Sequence, residues 1–454
     1  MFRRVLIANR GEVAARVLRT CRRLGVQVVA VASEADRGLG WLNDADEVVL
    51  LGPARAARSY LDQDALLEVA RRTGATAVHP GWGFLAENAT FAARCEALGL
   101  TFIGPRSPLI RAMGDKIAAR TTMAKLGMPL IPGSAGLVST LAEARREADR
   151  VGYPVLLKAA AGGGGRGMRR AYAPDQLQAA FEQASAESQS AFGDGSLYLE
   201  KLIVGGRHIE FQVLVDHFGH GVHLGERECS IQRRHQKLLE ESPSPVISDA
   251  QRAQVGGLVA EVVARAGYRN AGTVEMLRDH DGQLYFMEMN TRLQVEHPVT
   301  EEITGLDLVE LQLRVACNEP LPFNQAGVRF KGHAIEARVN AEDPSQGFRP
   351  APGRITRLEL PTGDGVRVDT HLRGGDRIPP QYDSMICKVI AWGEDRAQAI
   401  ARLHGALSAS VIEGVPTTIP LQLKLLESEP FRSGTYDTTT LDTLLGAWYG
   451  PHSA

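Results

Sequence analysis

The chain has 454 residues, of which 44% are apolar, and its formal net charge is −2. This length and apolar content suit roughly two to four packed domains. The nearly balanced charge argues against a nucleic-acid partner, and the lack of any apolar run near roughly 18 residues argues against a membrane span. Five widely separated cysteines without a Cys-x-x-Cys pair argue against disulfides and a zinc site. Because the amino-terminal apolar run is too short for a signal peptide, we expect a cytoplasmic protein.

Residues 1–112 are predicted to form a Rossmann-like α/β unit. The predicted elements are the strands RRVLIAN, VQVVAVAS, TAVHPG and LTFIG and the helices Gly11–Leu24, Leu61–Thr73 and Ala86–Leu98. Apolar strands that alternate with helices indicate a parallel sheet. The first turn, Asn9–Glu12, lacks the glycine fingerprint of dinucleotide sites, so no NAD is expected. The loop His79–Asn88 follows a strand end, where α/β proteins bind ligands; an ordinary turn is the alternative.

A compact mobile subdomain is predicted over about residues 131–203. Before it, Ser107 is predicted to cap a helix that leads to Lys116, with Pro108 at the first helical position. Residues 127–136 are rich in Gly and Pro and suggest a linker. The subdomain itself is predicted to contain the helix Leu141–Val151, a strand ending at Lys158, the glycine loop Ala161–Met168, a further helix and the strand Ser196–Ile203.

The glycine loop reads AGGGGRGM and directly follows the strand that ends in Lys158. Four consecutive glycines let successive backbone N–H groups fold around anionic oxygens. The loop contains G-x-G-x-x-G but no Gly-Lys-Ser/Thr, so it is not a P-loop; a flexible linker is the alternative. Lys158 and Lys116 would add ammonium charges for the phosphates of a nucleotide.

The second half begins with the strand HIEFQVLVD, which places His208, Glu210 and Gln212 on one face. The basic run RRHQK over Arg233–Lys237 is interpreted as an anion site rather than a solvated face. A helix over Asp249–Ala266 follows. From about residue 330, strands GHAIEARVNAED, APGRITRLELP and YDSMICKVIAW and a helix over residues 397–412 predict an α+β domain with an antiparallel sheet.

The most informative stretch is Met287–Pro298, MEMNTRLQVEHP, in which polar and apolar residues alternate as in a strand. Asp281-Gly282, between two apolar runs, predicts a two-residue hairpin turn that places Glu275 opposite Glu288. Opposed like charges destabilise a sheet by roughly 0.2–1 kcal/mol, so we expect a cation between them. These carboxylates and the Asn290 carbonyl suit Mg²⁺ or Mn²⁺. A solvated edge strand is the alternative for this pattern alone.

Long motifs then carry a family resemblance. GGGGRGM, RECSIQRRHQK and MEMNTRLQVEHPVTE, together with VLIANRGE, YPVLLKA and FRPAPGRI, resemble the biotin carboxylase family of ATP-grasp ligases over about residues 1–445. The resemblance implies an α/β and α+β ATP-grasp fold. It divides the chain into a Rossmann-like domain (1–112), an ATP-grasp domain with its lid (113–330) and a carboxyl-terminal antiparallel-sheet domain (331–446).

The resemblance also implies ligand sets. ATP would contact Lys116, Lys158, Gly164, Gly165, Glu200, Lys201, Leu202, Ile203, His208, Gln232, His235, Glu275 and Glu288. Two Mg²⁺ or Mn²⁺ ions would bind Glu275, Glu288 and Asn290. Bicarbonate would bind Lys237, Arg292, Gln294, Val295 and Glu296, and biotin would bind Trp82 and Arg338. Trp82 stands where the family commonly has Tyr, and Ala161 replaces a glycine of the lid loop.

The implied reaction has four catalytic residues, namely Lys237, Arg292, Glu296 and Arg338. Glu296 would deprotonate bicarbonate, which attacks the γ-phosphate of ATP to give carboxyphosphate. Carboxyphosphate then breaks down to CO₂ and phosphate, and Arg338 would stabilise the enolate of biotin.

The implied partners follow from what the chain lacks. There is no Met-Lys-Met biotinylation motif, so we expect biotin on a separate biotin carboxyl carrier protein. Carboxyltransferase subunits are the other expected partners, and the expected assembly is a homodimer. Acetyl-CoA is the expected final acceptor, with propionyl-CoA or a branched acyl-CoA as alternatives. The rival interpretations are another ATP-grasp ligase and a non-catalytic scaffold, and the intact residue set argues against both.

Overall fold

The computed structural model describes residues 1–160 and 167–450. Its amino-terminal unit contains β1 (Arg4–Ile7), α1 (Gly11–Arg23), β2 (Gln27–Ser33), β3 (Glu47–Gly52), α2 (Gln63–Thr73), β4 (Ala77–His79), α3 (Ala89–Ala97) and β5 (Thr101–Phe102). The strands form a five-stranded parallel sheet in the order β3-β2-β1-β4-β5, which confirms the predicted α/β unit. Strand β3 was not predicted; it lies at the edge of the sheet, where Val48 and Leu50 are exposed.

Two helices, α4 (Ser107–Gly114) and α5 (Lys116–Lys125), connect this unit to the next. The predicted capping role of Ser107 is wrong, since Arg106 occupies the N-cap position and Ser107 is the first helical residue. The Glu96 carboxylate accepts the Ser107 N–H at 3.0 Å and its hydroxyl at 2.9 Å. Asp115 separates the two helices and caps α5 through the next backbone N–H groups.

The predicted subdomain is a three-stranded antiparallel sheet with two helices. It contains α6 (Leu141–Val151), β6 (Val155–Ala159), β7 (Met168–Ala171), α7 (Leu177–Phe192) and β8 (Leu197–Lys201), with the strand order β7-β6-β8. A separate core of small and branched apolar residues holds it together. We call this unit the lid. The glycine-loop predictions Ala161, Gly164 and Gly165 lie outside the described residues.

The central unit supplies most of one large sheet. Its elements are β9 (Arg207–Val215), β10 (Gly221–Arg233), β11 (Gln236–Ser242), α8 (Asp249–Arg265), β12 (Asn270–Arg278), β13 (Leu284–Asn290), α9 (His297–Thr304) and α10 (Leu308–Ala316). Strands β9 to β13 are antiparallel neighbours. Residues that are far apart in the sequence are thereby paired across neighbouring strands, and their side chains lie on one face of the sheet.

The carboxyl-terminal third continues that sheet. Its strands are β14 (His333–Asn340), β15 (Glu342–Asp343), β16 (Arg349–Pro350), β17 (Gly353–Arg354), β18 (Arg357–Glu359), β19 (Val366–Thr370), β20 (Arg377–Ile378), β21 (Met385–Gly393) and β22 (Val411–Glu413). Its helices are α11 (Arg396–Ala409), α12 (Ile419–Glu427), α13 (Glu429–Ser433) and α14 (Thr440–Tyr449). The eight-stranded order is β13-β12-β9-β10-β11-β14-β21-β19, and one hydrophobic core runs from β1 through this sheet to α14.

The hairpin between β12 and β13 has the predicted partners but a different turn. Glu275 lies opposite Glu288, as expected. The turn is not two residues long, because the strands stop at Arg278 and Leu284. A register shift next to Glu275 compensates for the longer loop, as a β-bulge does when it adds one residue to one strand.

The predicted strand over residues 287–298 ends early. Strand β13 stops at Asn290, and Pro298 lies in the first turn of α9, for which Glu296 is the N-cap residue. Residues 291–295 form a loop. Polar and apolar residues keep alternating there, although the segment lies outside the paired strands. Among the described residues, no helix is both long enough and apolar enough to cross a membrane.

Candidate active site

An ammonium group surrounded by three carboxylates lies at the centre of the site. Lys237 on β11 places Nζ 2.6 Å from Glu210 Oε2, 3.3 Å from Glu275 Oε1 and 2.5 Å from Glu296 Oε1. None of these four side chains is more than 10% exposed. Buried charges at this density require close pairing, and such clusters are typical of functional sites.

Glu296 is fully buried and holds a cation on each carboxylate oxygen. Arg338 Nη2 lies 2.8 Å from Oε2, opposite Lys237 on Oε1. Arg338 is shared with Glu240, to which its Nε donates at 2.6 Å. Burial alone would raise the pKa of Glu296, but Lys237, Arg338 and Arg227 outweigh burial and hold that pKa well below its usual range. Glu296 is therefore an ionised carboxylate clamped between two cations.

Glu275 is the second anionic centre. Its Oε1 accepts from Asn290 Nδ2 at 2.8 Å and Gln294 Nε2 at 3.3 Å, and its Oε2 pairs with His208 Nε2 at 3.2 Å. Burial opposes ionisation, yet the neighbouring cations lower the pKa of Glu275. Glu275 is thus kept in the charged form that a metal ligand needs.

The predicted metal ligands form an oxygen set that fits a hard divalent cation. Glu288 faces Glu275 across the ladder, and its side chain is exposed. Two other groups have metal-like spacing, with ligand atoms within 4.8 Å of one another: His208, Glu210 and Glu275, and Glu210, Cys229 and Glu296. Lys237 contacts carboxylates of both groups, Glu275 among them at 3.3 Å, so an ammonium supplies a cation there.

Arg292 lies in the loop after β13 and is held by three side-chain acceptors and by the Leu293 carbonyl at 3.3 Å. Its Nε donates to Glu87 Oε2 at 2.8 Å, its Nη1 to Gln294 Oε1 at 3.0 Å and its Nη2 to Asn290 Oδ1 at 3.1 Å. Glu87 also accepts the Thr291 N–H at 3.0 Å. This acid was not singled out in the sequence, although its loop was predicted to bind ligand, because its partner is 205 residues away.

Two lysines, Lys116 and Lys158, lie close enough to interact electrostatically. Lys158 Nζ lies 2.5 Å from Glu200 Oε2, and Arg120 binds the other oxygen of Glu200. Burial is the main reason that the pKa of Lys116 is lowered; Glu288 opposes this effect and Lys158 adds to it. Glu200 is predicted to contact adenine, and each of its two carboxylate oxygens is therefore bonded to a cation.

The other predicted adenine contacts, Lys201, Leu202 and Ile203, lie where the lid strand β8 ends. Lys201 Nζ donates to the carbonyls of Gly152 and Tyr153 at 3.0 and 2.7 Å. The Lys201 side chain thus stabilises the lid, and the backbone N–H groups of Lys201 and Leu202 donate to the carbonyls of Pro132 and Pro154 at 2.7 and 3.0 Å.

The RRHQK run is a hairpin turn. Arg234 and His235 have φ values of 47° and 67°, which match the positive φ values of a two-residue hairpin turn between β10 and β11. Gln232 pairs with Lys237 in the ladder. Arg234 and His235 are exposed, whereas only 10% of the Lys237 side chain is exposed. The run therefore divides into one lysine of the site and an exposed basic turn.

Trp82 does not join this cluster. It lines a small cavity of about 30 Å³ with residues that include Asn9, Glu12, His371 and Met385. Its predicted biotin partner, Arg338, does not line that cavity and instead lies between Glu240 and Glu296.

Sequence reasoning missed the fully buried Arg227. Its Nε pairs with Glu210 at 2.5 Å, and Nη1 donates to Gln212 at 2.8 Å and Thr300 at 2.9 Å. The residue ties β10 to β9 and α9 beneath Lys237. The available signal was the alternation in HIEFQVLVD, since two polar residues on one buried face require a buried partner.

Family models match nearly the whole chain. "Biotin carboxylase, N-terminal domain" matches residues 1–110, "Carbamoyl-phosphate synthase L chain, ATP binding domain" matches residues 115–324 and "Biotin carboxylase C-terminal domain" matches residues 336–443.

Relatives match over a similar extent. Biotin carboxylase 1 of Bacillus subtilis is 50% identical over 98% of this chain and 99% of its own length. A pyruvate carboxylase subunit from Methanothermobacter thermautotrophicus is 51% identical over 97% of this chain and 90% of its own. The biotin carboxylase domain dimer of Hydrogenobacter thermophilus 2-oxoglutarate carboxylase, solved with MgADP, ADP and bicarbonate, has 47% identity and a TM-score of 0.93 over 98% of both chains.

Proposed function

Because this chain belongs to the biotin carboxylase family of ATP-dependent ligases, we propose that it carboxylates biotin on a separate carrier protein, with ATP and bicarbonate as substrates. The observation that carries the proposal is Glu296, buried and held at 2.5 and 2.8 Å by two cations. Such a group combines an anion-binding pair of cations with a carboxylate that can accept a proton. We assign residues 1–112, 113–330 and 331–446 to the three family domains.

The bicarbonate site in this proposal is the loop after β13 together with Lys237. Arg292 and Gln294 present fixed donors, and Val295 contributes its backbone. Bicarbonate is an anion, so it competes with Glu296 for the Lys237 ammonium. As Lys237 turns to the substrate, the pKa of Glu296 rises from its depressed value, and the carboxylate becomes able to take the bicarbonate proton.

The nucleotide site in this proposal lies between the lid and the hairpin. Lys116, Lys158 and His208 supply positive charge for the phosphates, and the adenine lies at the end of β8. Gln232 and His235 lie at the ribose and phosphate side of the nucleotide. Glu275, Glu288 and Asn290 would hold Mg²⁺, which neutralises phosphate charge when bound. The Hydrogenobacter relative, solved with MgADP and bicarbonate, supports the use of these ligands.

The biotin half of the proposal assigns Arg338 to the enolate oxygen. Arg338 keeps a fixed carboxylate partner in Glu240, so its guanidinium stays in place if Glu296 changes partner. Preorganised charge of this kind is the usual way in which enzymes stabilise an enolate. Trp82 stays a proposed contact of the carrier-bound biotin.

The acceptor of the second half-reaction is proposed as acetyl-CoA, reached through a carboxyltransferase partner, and the assembly as a homodimer. A 2-oxo acid is the second candidate, because one relative belongs to a pyruvate carboxylase and another belongs to a 2-oxoglutarate carboxylase. Native partners purified with the chain and supplied with labelled bicarbonate would distinguish malonyl-CoA from a carboxylated 2-oxo acid.

The decisive experiment measures ATP cleavage that depends on both bicarbonate and free biotin. Replacement of the base in Glu296→Gln should lower this activity at least about 100-fold. The matched control is Glu302→Gln, a carboxylate of the same helix that pairs with Arg367 at 3.3 Å, and it should stay within about twofold of wild type, as expected for a partly exposed ion pair. Near-normal cleavage in Glu296→Gln would reject Glu296 as the base, and wild-type cleavage independent of bicarbonate would reject the function.

A further inference from the structure

A lysine outside all the predicted ligand sets contacts the bicarbonate loop. Lys388 on β21 is fully buried, and its Nζ donates to the Val295 carbonyl at 2.8 Å. A buried ammonium is costly unless its donors are used. The remaining charge balance comes from Glu12 Oε1 at 3.1 Å and Asp369 Oδ2 at 3.9 Å.

These contacts join three parts of the fold. Glu12 lies in the first turn of α1, in the amino-terminal unit, and Asp369 lies on β19 at the far edge of the large sheet. Val295 immediately precedes Glu296, the N-cap residue of α9. Lys388 thus links Glu12 of the amino-terminal unit and Asp369 of the sheet edge to the Val295 carbonyl, in addition to the contacts that Glu87 makes with Thr291 and Arg292.

Lys388 also has a directly paired neighbour in the site. It lies opposite Arg338 in the β14–β21 ladder, so the two side chains emerge on the same face of the sheet. Arg338 holds the carboxylate of Glu296, and Lys388 holds the carbonyl of the preceding residue. Two adjacent cations therefore fix the side chain and the backbone of one turn.

The backbone contact has a geometric consequence. The peptide between Val295 and Glu296 is planar, and its C=O and N–H point in opposite directions in the trans form. A carbonyl bonded to Lys388 therefore turns the Glu296 N–H away from Lys388. Without that bond, rotation of the peptide would change where both the Val295 backbone and the Glu296 side chain lie.

We propose that Lys388 is a positioning residue, which sets the orientation of the Val295–Glu296 peptide and thereby the affinity for bicarbonate. This inference rests on the proposed function, since it assigns a role within the same site. Lys388 touches no substrate in this scheme and acts through the loop alone.

The test compares Michaelis constants for two substrates of the intact enzyme. Lys388→Met removes the donor, and the double variant Lys388→Met with Glu12→Gln also removes the partner charge and so limits the loss of stability. Both should raise KM for bicarbonate at least tenfold and leave KM for ATP within twofold. Glu12→Gln alone keeps the ammonium but removes its nearest carboxylate, and it should raise KM for bicarbonate twofold to fivefold.

The matched control is Arg16→Met, which removes another buried cation from the same region. Arg16 bonds Glu301 at 2.8 Å and Asp307 at 2.9 Å and lies 4.0 Å from Asp369, and its hydrogen bonds go to neither Val295 nor Glu296. The Arg16→Met variant should have a lower midpoint temperature of unfolding and an unchanged KM for bicarbonate.

Three results distinguish the possibilities. Equal rises in both Michaelis constants, or loss of thermal stability alone, would show a merely structural lysine and overturn the proposal. If the Lys388 variants fail to fold, an unchanged KM for bicarbonate in Glu12→Gln overturns it instead. Wild-type ATP cleavage that ignores bicarbonate would refute the proposed function itself, and with it this role.

Discussion

Lys237→Met tests the charge balance of the site most directly. The ammonium contacts three buried carboxylates, and removing one partner of a buried ion pair costs about 3–5 kcal/mol. Arg227 and Arg338 still neutralise Glu210 and Glu296 in the variant. We therefore expect the free energy of unfolding, measured with urea at pH 8, to fall by an amount in this range rather than by three such amounts added together.

The pH dependence identifies the cause of that loss. Glu275 and Glu296 have folded-state pKa values below their unfolded values, so in the wild type their contribution to stability is complete above the unfolded pKa and is lost only as pH falls through the folded pKa. Between pH 6 and 8 that contribution is constant. In the variant the carboxylates lose a cation and their pKa values rise. A carboxylate that binds a proton in the folded state should then reduce the stability penalty of Lys237→Met as the pH is lowered, by up to about 1.4 kcal/mol per pH unit.

The control for this comparison is Arg314→Met. Arg314 pairs with Glu310 and Glu319 at 2.7 and 2.9 Å but is 37% exposed, so its loss should be small and without a pH trend. A Lys237→Met penalty that is the same at pH 6 and pH 8 would refute the reasoning, because it would mean that lost packing, and not unpaired charge, causes the loss.

Two further predictions concern the loop and the metal. Glu87→Gln removes the charge that anchors Arg292 Nε at 2.8 Å, and it should raise KM for bicarbonate several-fold with KM for ATP unchanged; equal effects on both substrates would contradict the role of Glu87 in holding Arg292. Glu288→Gln removes a proposed metal ligand, so half-maximal ATP cleavage should require at least about tenfold more Mg²⁺; an unchanged Mg²⁺ titration would exclude Glu288 from the metal site.

The hairpin shows both the reach and the limit of prediction from sequence. Alternation and an Asp-Gly dipeptide were enough to place Glu275 opposite Glu288, a pairing that the structure contains. They were not enough to predict the turn, because a longer loop and a bulge together restore the same partners. Register at the charged pair is thus more predictable than the local geometry that produces it.

The loop after β13 was harder to predict. Alternation through Arg292, Gln294 and Glu296 continues past the end of the strand, and periodicity cannot distinguish a ladder from an extended loop. What ends the strand is tertiary: Glu87 takes the Thr291 N–H and Lys388 takes the Val295 carbonyl. These partners come from opposite ends of the chain, so no local pattern contains them.

The sequence around Lys388 does indicate that this lysine is buried. It lies within ICKVIAW, a nearly continuous apolar run that is typical of a strand buried on both faces. A lysine in such a run must find a buried acceptor, although the sequence alone does not say which one. The same reasoning applies to Arg227, whose partners come from β9, β12 and α9.

Glu296 is subject to two conflicting requirements. A general base works best with a pKa near the working pH, yet Lys237, Arg338 and Arg227 hold the pKa of Glu296 well below its usual range against the effect of burial. The conflict disappears if Lys237 also binds bicarbonate, because a contact that moves to the substrate weakens the hold on the carboxylate. Basicity then develops only when bicarbonate is present, and ATP beside an empty site faces a weak base. Lys237→Met removes one of these cations permanently, so the fraction of ATP cleavage that needs no bicarbonate should rise in that variant even as the total rate falls.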